Sequence, residues 1–454
     1  MTMLNVLNPA IENISRTEIK EIQLQRLLAQ LNRCMTDIPF YRERWPEAAA
    51  GITSFEEFRE IMPFTSKPDF ISGLPQETGR LSAGSDIFQN HVTSGTTGLG
   101  QEVHPVSTTD HEALGAAWQY QAHWSGMRPG DIIAYTWPIG LQTGGLSTPV
   151  TAQRLGLIGI QLGPYSSEDK LRYMEKFQPQ ALVASPSYIT HLSHLLSRSG
   201  RTPAEVFPTM KALFIAGESY SVAWAEQTMQ GWGCKVSEWY GLMQTAMNLA
   251  FSCEESVVSN GVRGRLHCFD HRFYTEILHP GTKTPVKVGE SGEIVVTTLT
   301  KDAFPVVRFR TGDRATLLTD ECPCGRPFMS IEAGTIARYD DMMKVRGQNL
   351  WPEAVDKVVL SDPLVAEYAG EVSIDDHGRE TIVVRYELIA DPESAEEEAS
   401  IVHSLQHSVK SATNITMQFE RVPALTLQRF EFKARRWVDR RREDRTFVQY
   451  VAKS

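Results

Sequence analysis

Two hydrophobic periods run along the chain, and they predict helices at the N-terminus followed by strands alternating with helices. Leucine and isoleucine recur at helical spacing from Ile19 to Asn32, and Phe55 to Ile61 forms a second helix-like segment. Short runs of consecutive apolar residues then indicate buried strands separated by helix-like stretches such as His111 to Trp124. This alternation predicts a parallel α/β sheet behind a helical lobe of about 80 residues. The strand candidates are residues 87–92, 131–135, 155–162, 181–184 and 212–216.

The C-terminal part of the chain shows a smaller set of elements. Residues 353–360 and 394–411 have helical patterns, and residues 368–372 and 381–387 are strand-like. The second helix begins with an acidic cluster, which suits the positive end of a helix dipole. The pattern therefore predicts a second, small unit that contains both helices and strands.

Size and composition limit the classes of protein that the chain can represent. Its 454 residues exceed what one hydrophobic core usually serves, so two or more domains are expected. A net charge of −10 argues against nucleic acid as the main partner. No apolar run approaches the roughly 18 residues of a membrane helix, and the polar N-terminus does not resemble a secretory signal. Six cysteines in a chain of this length indicate a reducing, cytoplasmic setting.

One short stretch, residues 92–101 (VTSGTTGLGQ), concentrates glycines and hydroxyl side chains directly after a strand candidate. Glycine permits positive φ angles and close approach of the backbone to a ligand, and hydroxyl donors beside the loop's N–H groups can wrap phosphate oxygens. No Gly-Lys-Ser/Thr follows, so this is not a Walker loop; a flexible turn is the alternative. The candidate phosphate ligands are Ser94, Gly95, Thr96, Thr97 and Gly98.

Other candidate site residues follow the strand candidates of the predicted sheet. Ligands of open α/β sheets bind at the carboxyl ends of the strands. There the sequence places Ser185-Pro186-Ser187 and the triplet Gly217, Glu218 and Ser219. Aromatic and small residues suit an apolar slot for a flat ligand, although core aromatics are the alternative. These candidate substrate-pocket residues are Tyr135, Trp137, Gly144 and Gly145, with Trp239 nearby.

Several short motifs occur in a fixed order along the chain. A helix, IPFYRERW, a short helix and MPFTSKPDF precede the loop at 92–101. Then come Tyr240-Gly241, Thr311-Gly312-Asp313, the segment Arg338-Tyr339-Asp340-Asp341 and a late Lys433. This order resembles the phenylacetate–CoA ligase branch of the adenylate-forming superfamily, and the resemblance spans nearly the whole chain. It implies an α/β fold with a large N-terminal adenylate-forming domain of parallel or mixed sheets over 1–339 and a small mobile α+β domain over 340–454.

The resemblance also implies roles for individual residues. Tyr240 and Gly241 would close over adenine, with Gln244 and Thr245 following near the phosphates. Asp313 would accept the ribose hydroxyls, for which a fixed carboxylate is suited. Thr96, Arg338 and Lys433 would be catalytic, and Asp340 would be the hinge between the domains.

The chain departs from the family pattern at positions that would bind Mg²⁺ or phosphate. Gln244 occupies the place of a glutamate that binds Mg²⁺, and Mg²⁺ prefers anionic oxygen. Leu99-Gly100-Gln101 lacks the lysine that is common in this loop, and Phe432 replaces the glycine before the catalytic lysine. Two groups that handle phosphate or metal are therefore missing from their usual positions.

A pair of cysteines, Cys322 and Cys324, could form half of a metal site, because zinc needs two further Cys or His ligands. By resemblance to zinc-containing members of the family, Cys253 and His267 are the candidates, and Cys268 and His271 are close enough to confuse the assignment. Four protein ligands would make the zinc structural. Reduced cysteines without metal are the alternative.

The chemistry that the resemblance implies is ATP- and Mg²⁺-dependent formation of an acyl-adenylate from an aromatic acid, then transfer to CoA with release of AMP. One alternative keeps adenylation and passes the acyl group to a carrier-protein thiol or an amine. Another is a non-catalytic nucleotide-binding protein, motivated by Gln244 and the missing lysine. The family also implies a possible homodimer, and no membrane or nucleic-acid partner is expected.

Overall fold

The computed structural model describes residues 6–71, 86–93, 102–141, 152–319, 321–375, 378–430 and 435–441. The chain divides into two compact units, Met1–Tyr339 and Asp340–Ser454. Three sets of predicted site residues lie outside the described residues: the phosphate ligands Ser94 to Gly98, the pocket residues Gly144 and Gly145, and the catalytic Lys433. No helix among the described residues is long and apolar enough to cross a membrane.

The N-terminal helices confirm the predicted periodicity, and the main one is longer than expected. It starts at Arg16 because Ser15 and Glu18 form a capping box that satisfies the first backbone N–H groups. Its apolar face buries Ile19, Leu27 and Leu31. The helices of this region are α1 (Pro9–Glu12), α2 (Arg16–Asp37), α3 (Pro39–Arg44), α4 (Phe55–Ile61) and α5 (Lys67–Phe70), with a 3₁₀ turn at Glu47–Gly51.

From residue 103 to residue 242 the first unit alternates strands with helices, as predicted, and successive strands then follow up to residue 338. Its helices are α6 (Thr108–Trp124), α7 (Ser167–Phe177), α8 (Pro186–Ser197), α9 (Pro203–Val206) and α10 (Val222–Trp232). Its strands are β1 (Ile87–Val92), β2 (Val103–Ser107), β3 (Ile132–Tyr135), β4 (Ile158–Gln161), β5 (Ala181–Ala184), β6 (Ala212–Ile215), β7 (Lys235–Leu242), β8 (Met247–Ser252), β9 (Val258–Ser259), β10 (Val262–Arg263), β11 (Arg265–Cys268), β12 (Phe273–Leu278), β13 (Ser291–Thr298), β14 (Phe309–Thr316), β15 (Ser330–Glu332) and β16 (Ala337–Arg338).

The central sheet of the described chain has the strand order β15-β11-β8-β7-β6-β5-β3-β4. Strands β3 to β7 pair in parallel, and β8, β11 and β15 add antiparallel strands at one side. The parallel strands β5 and β6 are buried along their whole length, which explains why their sequences are continuous apolar runs. A second, antiparallel sheet has the order β12-β13-β14-β16. The predicted mixed sheets are thereby confirmed.

The second unit is a small α+β domain. Its four-stranded sheet has the strand order Gln418–Arg421, Glu380–Leu388, Val365–Ile374 and Trp437–Asp439. At its edge a Cβ on Gly370 would lie 2.5 Å from the Trp437 ring, so only glycine fits there. Apolar residues of the two helices and the sheet form one buried core. Its elements are β17 (Met343–Val345), β18 (Gln348–Leu350), α11 (Pro352–Val359), β19 (Val365–Ile374), β20 (Glu380–Leu388), α12 (Ala395–Thr413), β21 (Gln418–Arg421) and β22 (Trp437–Asp439).

Candidate functional site

Asp313 lies in a bulge of β14. Arg310 pairs with Val295 and Arg314 with Glu293, so five residues of β14 stand opposite three of β13. The Thr311 hydroxyl holds this irregularity by donating to the Ile294 carbonyl (2.8 Å) and accepting from the Asp313 N–H (2.9 Å). Gly312 supplies the positive φ of +73° that the bend requires. The Thr-Gly-Asp motif is therefore a strand bulge that sets the direction of one carboxylate.

Three of the predicted nucleotide-binding residues meet at this carboxylate. The Tyr240 hydroxyl donates to Asp313 Oδ2 at 2.6 Å, and Arg338 Nε lies 3.4 Å from Oδ1. Arg338 is also the residue of β16 directly opposite Asp313 in the sheet. Burial raises the pKa of Tyr240 well above its usual value, so its hydroxyl stays protonated as a donor. A phenol, a carboxylate and a guanidinium are thus held together at the end of β7.

The loops after β5 and β6 are joined by the predicted residue Glu218. Its carboxylate accepts from the Ser187 backbone N–H at 3.0 Å and from the Ser187 hydroxyl at 2.7 Å. Gly217 adopts a φ of +88°, which lets the chain turn away at the end of β6. Ser219 follows as a half-buried residue. The two strand-end loops expected to line the site are therefore adjacent and fixed to each other.

Glu238 is a buried carboxylate, not among the predicted site residues, that stabilises the backbone next to these loops. Glu238 of β7 accepts from the Tyr220 hydroxyl at 2.5 Å and from the Gly334 backbone N–H at 2.8 Å. Burial raises the pKa of Glu238 to about 7. Glu238 therefore links the segment after Ser219 to the segment that leads into β16.

The position of the expected glutamate holds an amide that contacts another carboxylate. Gln244 Nε2 donates to Glu102 Oε2 at 2.6 Å, and His104 Nε2 lies 2.8 Å from the same oxygen. Glu102 is fully buried, and Lys67 Nζ lies 3.7 Å from its Oε1. Oε1 receives no hydrogen bond from the described part of the chain. Burial lowers the pKa of His104, so the ring is neutral near pH 7 and donates from Nε2.

The backbone around Gln244 is fixed by a buried lysine. Lys301 donates to the Gln244 carbonyl (2.9 Å) and to the Phe304 carbonyl (2.7 Å). Burial lowers the pKa of Lys301 to about 8, and the Asp110 carboxylate opposes that effect. Thr245 turns its hydroxyl back to the Leu242 carbonyl at 2.8 Å. Gln244 and Thr245 are consequently held in a fixed turn after β7, and Lys301 is a positioning residue for it.

Tryptophans pack beside Tyr240 and Gly241. The Trp239 ring lies 4.7 Å from Trp118 and 5.2 Å from Trp137, centroid to centroid. Tyr135 is buried at the end of β3, two residues before Trp137. The structure thus places the two described pocket candidates, Tyr135 and Trp137, on the strand-end side of the same sheet. Their contact with a substrate stays a prediction.

The four predicted metal ligands come together from three separate parts of the chain. Cys253 follows β8, His267 lies on β11, and Cys322 and Cys324 lie in the turn before β15. Their ligand atoms all lie within 4.8 Å of one another. Cys253 Sγ is 3.9 Å from Cys322 Sγ, and Cys324 Sγ is 3.3 Å from His267 Nε2. The adjacent Cys268 and His271 are not in this cluster.

These distances fit a tetrahedral zinc ion. With Zn–S bonds of about 2.3 Å and Zn–N bonds of about 2.0 Å, tetrahedral angles separate two sulfurs by roughly 3.8 Å and a sulfur from a nitrogen by roughly 3.5 Å. Arg326, two residues after the last cysteine, anchors the cluster: it contacts Glu254 and Glu12, and its guanidinium lies 4.1 Å from the Trp124 ring. Three cysteines and one histidine leave no open coordination position, so such an ion would be structural.

Sequence reasoning missed the buried polar residues that support the site: Glu102, Lys301 and Glu238. A signal was present for Glu102, because a charged residue opens the otherwise weakly charged strand segment 102–107 directly after the glycine loop. Asp340 lies in a 3₁₀ turn, Tyr339–Asp341, after β16. Its role as a hinge stays a prediction, as do the roles of the loop residues and of Lys433.

Comparisons with known proteins show the family to which the chain belongs. A family profile described as AMP-binding enzyme matches residues 25–299, and one described as AMP-binding enzyme C-terminal domain matches residues 347–441. Phenylacetate-coenzyme A ligase of Escherichia coli strain K12 is 30% identical over 95% of this chain and 97% of its own length. The corresponding ligase of Aromatoleum evansii is 29% identical over 95% and 96%. A solved structure of 2-hydroxyisobutyryl-CoA ligase in the postadenylation state superimposes with a TM-score of 0.85 at 23% identity, covering 97% and 93%.

The two matching profiles define the class: an adenylate-forming, AMP-binding enzyme with a large and a small unit. Within that class, the chain belongs to the phenylacetate–CoA ligase family of AMP-binding enzymes. It is an AMP-forming acid–thiol ligase that uses ATP and CoA.

Proposed function

We propose that this enzyme activates an aromatic carboxylic acid, with the Tyr240–Asp313–Arg338 cluster as its ribose and phosphate site. That cluster is the observation that carries the proposal. Asp313 presents a fixed carboxylate that can accept two ribose hydroxyls, Tyr240 offers a flat ring beside Gly241, and the half-exposed Arg338 guanidinium can reach a phosphate oxygen.

The reaction has two steps. The substrate carboxylate attacks the α-phosphorus of ATP and releases pyrophosphate; the CoA thiolate then attacks the acyl carbonyl and releases AMP. Positioning and charge stabilisation dominate such catalysis. Lys433 would bridge the carboxylate and the α-phosphate, Ser94 to Gly98 would hold the β- and γ-phosphates, and rotation at Asp340 would separate the two steps. Trp137 and Trp239 favour an aryl acid, because flat aromatic walls match a flat substrate.

The metal requirements belong to the same proposal. A divalent cation that accompanies ATP would neutralise charge on the phosphates, and a zinc ion held by Cys253, His267, Cys322 and Cys324 would stabilise the fold. A cytoplasmic location follows, because thiolate ligands must stay reduced.

The test is formation of the thioester. Wild type and Asp313→Ala are incubated with ATP, Mg²⁺ and a panel of aryl and aliphatic acids, with CoA, pantetheine or a carrier protein as acceptor. We expect an aryl-CoA and one AMP per thioester from the wild type, and a loss of at least about tenfold in the variant. Turnover with the carrier protein alone would replace CoA as the acceptor, and turnover with aliphatic acids alone would contradict the aryl substrate.

A further inference from the structure

The environment of Glu102 suits the binding of a divalent cation, the role that the residue at position 244 usually has in this family. Glu102 stands directly after the glycine loop, and the two ends of that loop are joined: the Thr93 N–H donates to the Glu102 carbonyl (3.0 Å), and the Glu102 N–H donates to the Thr93 hydroxyl (2.8 Å). The carboxylate is therefore fixed at the base of the segment proposed to hold the phosphates. Its side chain then meets that of Gln244, 142 residues away in sequence.

The two oxygens of this carboxylate are used unequally. Oε2 interacts with Gln244 Nε2 and His104 Nε2, and these contacts fix its orientation. Oε1 receives no hydrogen bond from the described residues; its nearest cation is Lys67 Nζ at 3.7 Å, on a side chain that is 19% exposed. A buried carboxylate is costly unless a cation or hydrogen bonds compensate its charge. One oxygen thus remains able to accept a cation.

The family pattern places a metal-binding carboxylate at position 244. Here Gln244 occupies the position, and the adjacent Glu102 provides the carboxylate. The neutral amide cannot supply the anionic oxygen that Mg²⁺ prefers, but it can hold a neighbouring carboxylate in that place. We propose that Glu102 supplies the anionic oxygen for the divalent cation that accompanies ATP, and that Gln244 positions it. This inference rests on the proposed function, because it requires ATP in the site.

The test is Mn²⁺ binding by the full-length protein in the presence of α,β-methylene-ATP, which blocks adenylation. Free Mn²⁺ is measured by electron paramagnetic resonance, and each variant is checked for folding by thermal unfolding. Glu102→Gln should weaken Mn²⁺ binding by about tenfold or more, because it removes the charge and keeps the shape. The double variant Glu102→Gln/Gln244→Glu returns a carboxylate to position 244 and should restore most of that loss. Glu112→Gln, an exposed glutamate of the same unit, is the matched control.

Unchanged Mn²⁺ affinity in Glu102→Gln would overturn the proposal. Gln244→Ala keeps the carboxylate and removes the amide that positions it, so it tests the proposal even where Glu102→Gln does not fold. It should weaken Mn²⁺ binding by about tenfold or more, and an unchanged affinity would overturn the proposal. AMP binding without metal, measured by calorimetry, distinguishes failure of the proposed function from failure of this inference. Wild type that fails to bind AMP contradicts the proposed function, whereas normal AMP binding with unchanged Mn²⁺ affinity in Glu102→Gln contradicts only this inference.

Discussion

Replacing Glu238 by glutamine is expected to change the pH dependence of stability. Glu238 is 4% exposed, and burial raises its pKa to about 7. An acid whose pKa is higher in the folded state than in the unfolded state favours folding most at low pH, and it loses that contribution as the pH rises through the folded-state pKa. Glutamine has the shape of the protonated acid and does not titrate, so it can keep the contacts with Tyr220 and Gly334 at every pH.

The size of the effect follows from the two pKa values. With 4.5 for the unfolded state and about 7 for the folded state, the wild type loses about 2.5 kcal/mol relative to the variant between about pH 5 and about pH 8, at about 1.36 kcal/mol per pKa unit. The unit that holds Glu238 spans Met1–Tyr339, so its unfolding entropy is roughly 0.7 kcal/mol/K. The melting temperature of Glu238→Gln should therefore rise by about 3–4 °C relative to wild type over that interval.

The assay is thermal unfolding of both proteins at the two pH values, followed by tryptophan fluorescence. Only the difference between the proteins is interpreted, because the other titrating groups are common to both. Glu112→Gln, the same substitution at an exposed glutamate, serves as the control for replacing a carboxyl group by an amide. An offset for Glu238→Gln that is the same at both pH values would refute the argument that burial shifts this carboxyl group.

Three further changes test other parts of the structure. Tyr240→Phe removes the hydroxyl that fixes Asp313, so the Kd for AMP in calorimetry should rise about tenfold or more; an unchanged Kd would separate this contact from nucleotide binding. Arg326→Met leaves two buried glutamates without their cation and should cost about 3–5 kcal/mol in thermal unfolding, whereas the exposed Arg201→Met should cost less than about 1 kcal/mol. Cys322→Ser should lower bound zinc well below one ion per chain by elemental analysis, and wild type without zinc would exclude the proposed metal.

Local pattern was sufficient for most elements of the fold. The buried strands over 181–184 and 212–216 lie where continuous apolar runs predict them, because strands buried on both faces need no polar alternation. Helix α2 extends beyond its predicted bounds, since its capping box lies before the first periodic residue. The Thr-Gly-Asp motif forms a strand bulge because Thr311 bonds across to β13, a contact that short-range pattern does not contain.

The candidate site depended more on contacts between distant residues. The order of motifs predicted Tyr240, Asp313 and Arg338 as neighbours in one site, and the structure brings them together. Glu102 and Gln244 are 142 positions apart in the chain but in contact in the structure. Nothing in the sequence around either residue predicts that contact. The sequence showed that Gln244 replaces the expected glutamate. Only the structure showed that the Glu102 carboxylate lies beside it.

The most direct test of the central claim is acid-dependent ATP–pyrophosphate exchange without CoA, across a panel of aryl acids with Mg²⁺. Exchange requires only the first step, so it reports adenylation independently of the acceptor. We predict robust exchange with at least one aryl acid and none without acid. AMP binding together with no exchange for any acid in the panel would contradict the account and favour a nucleotide-binding protein that has lost turnover.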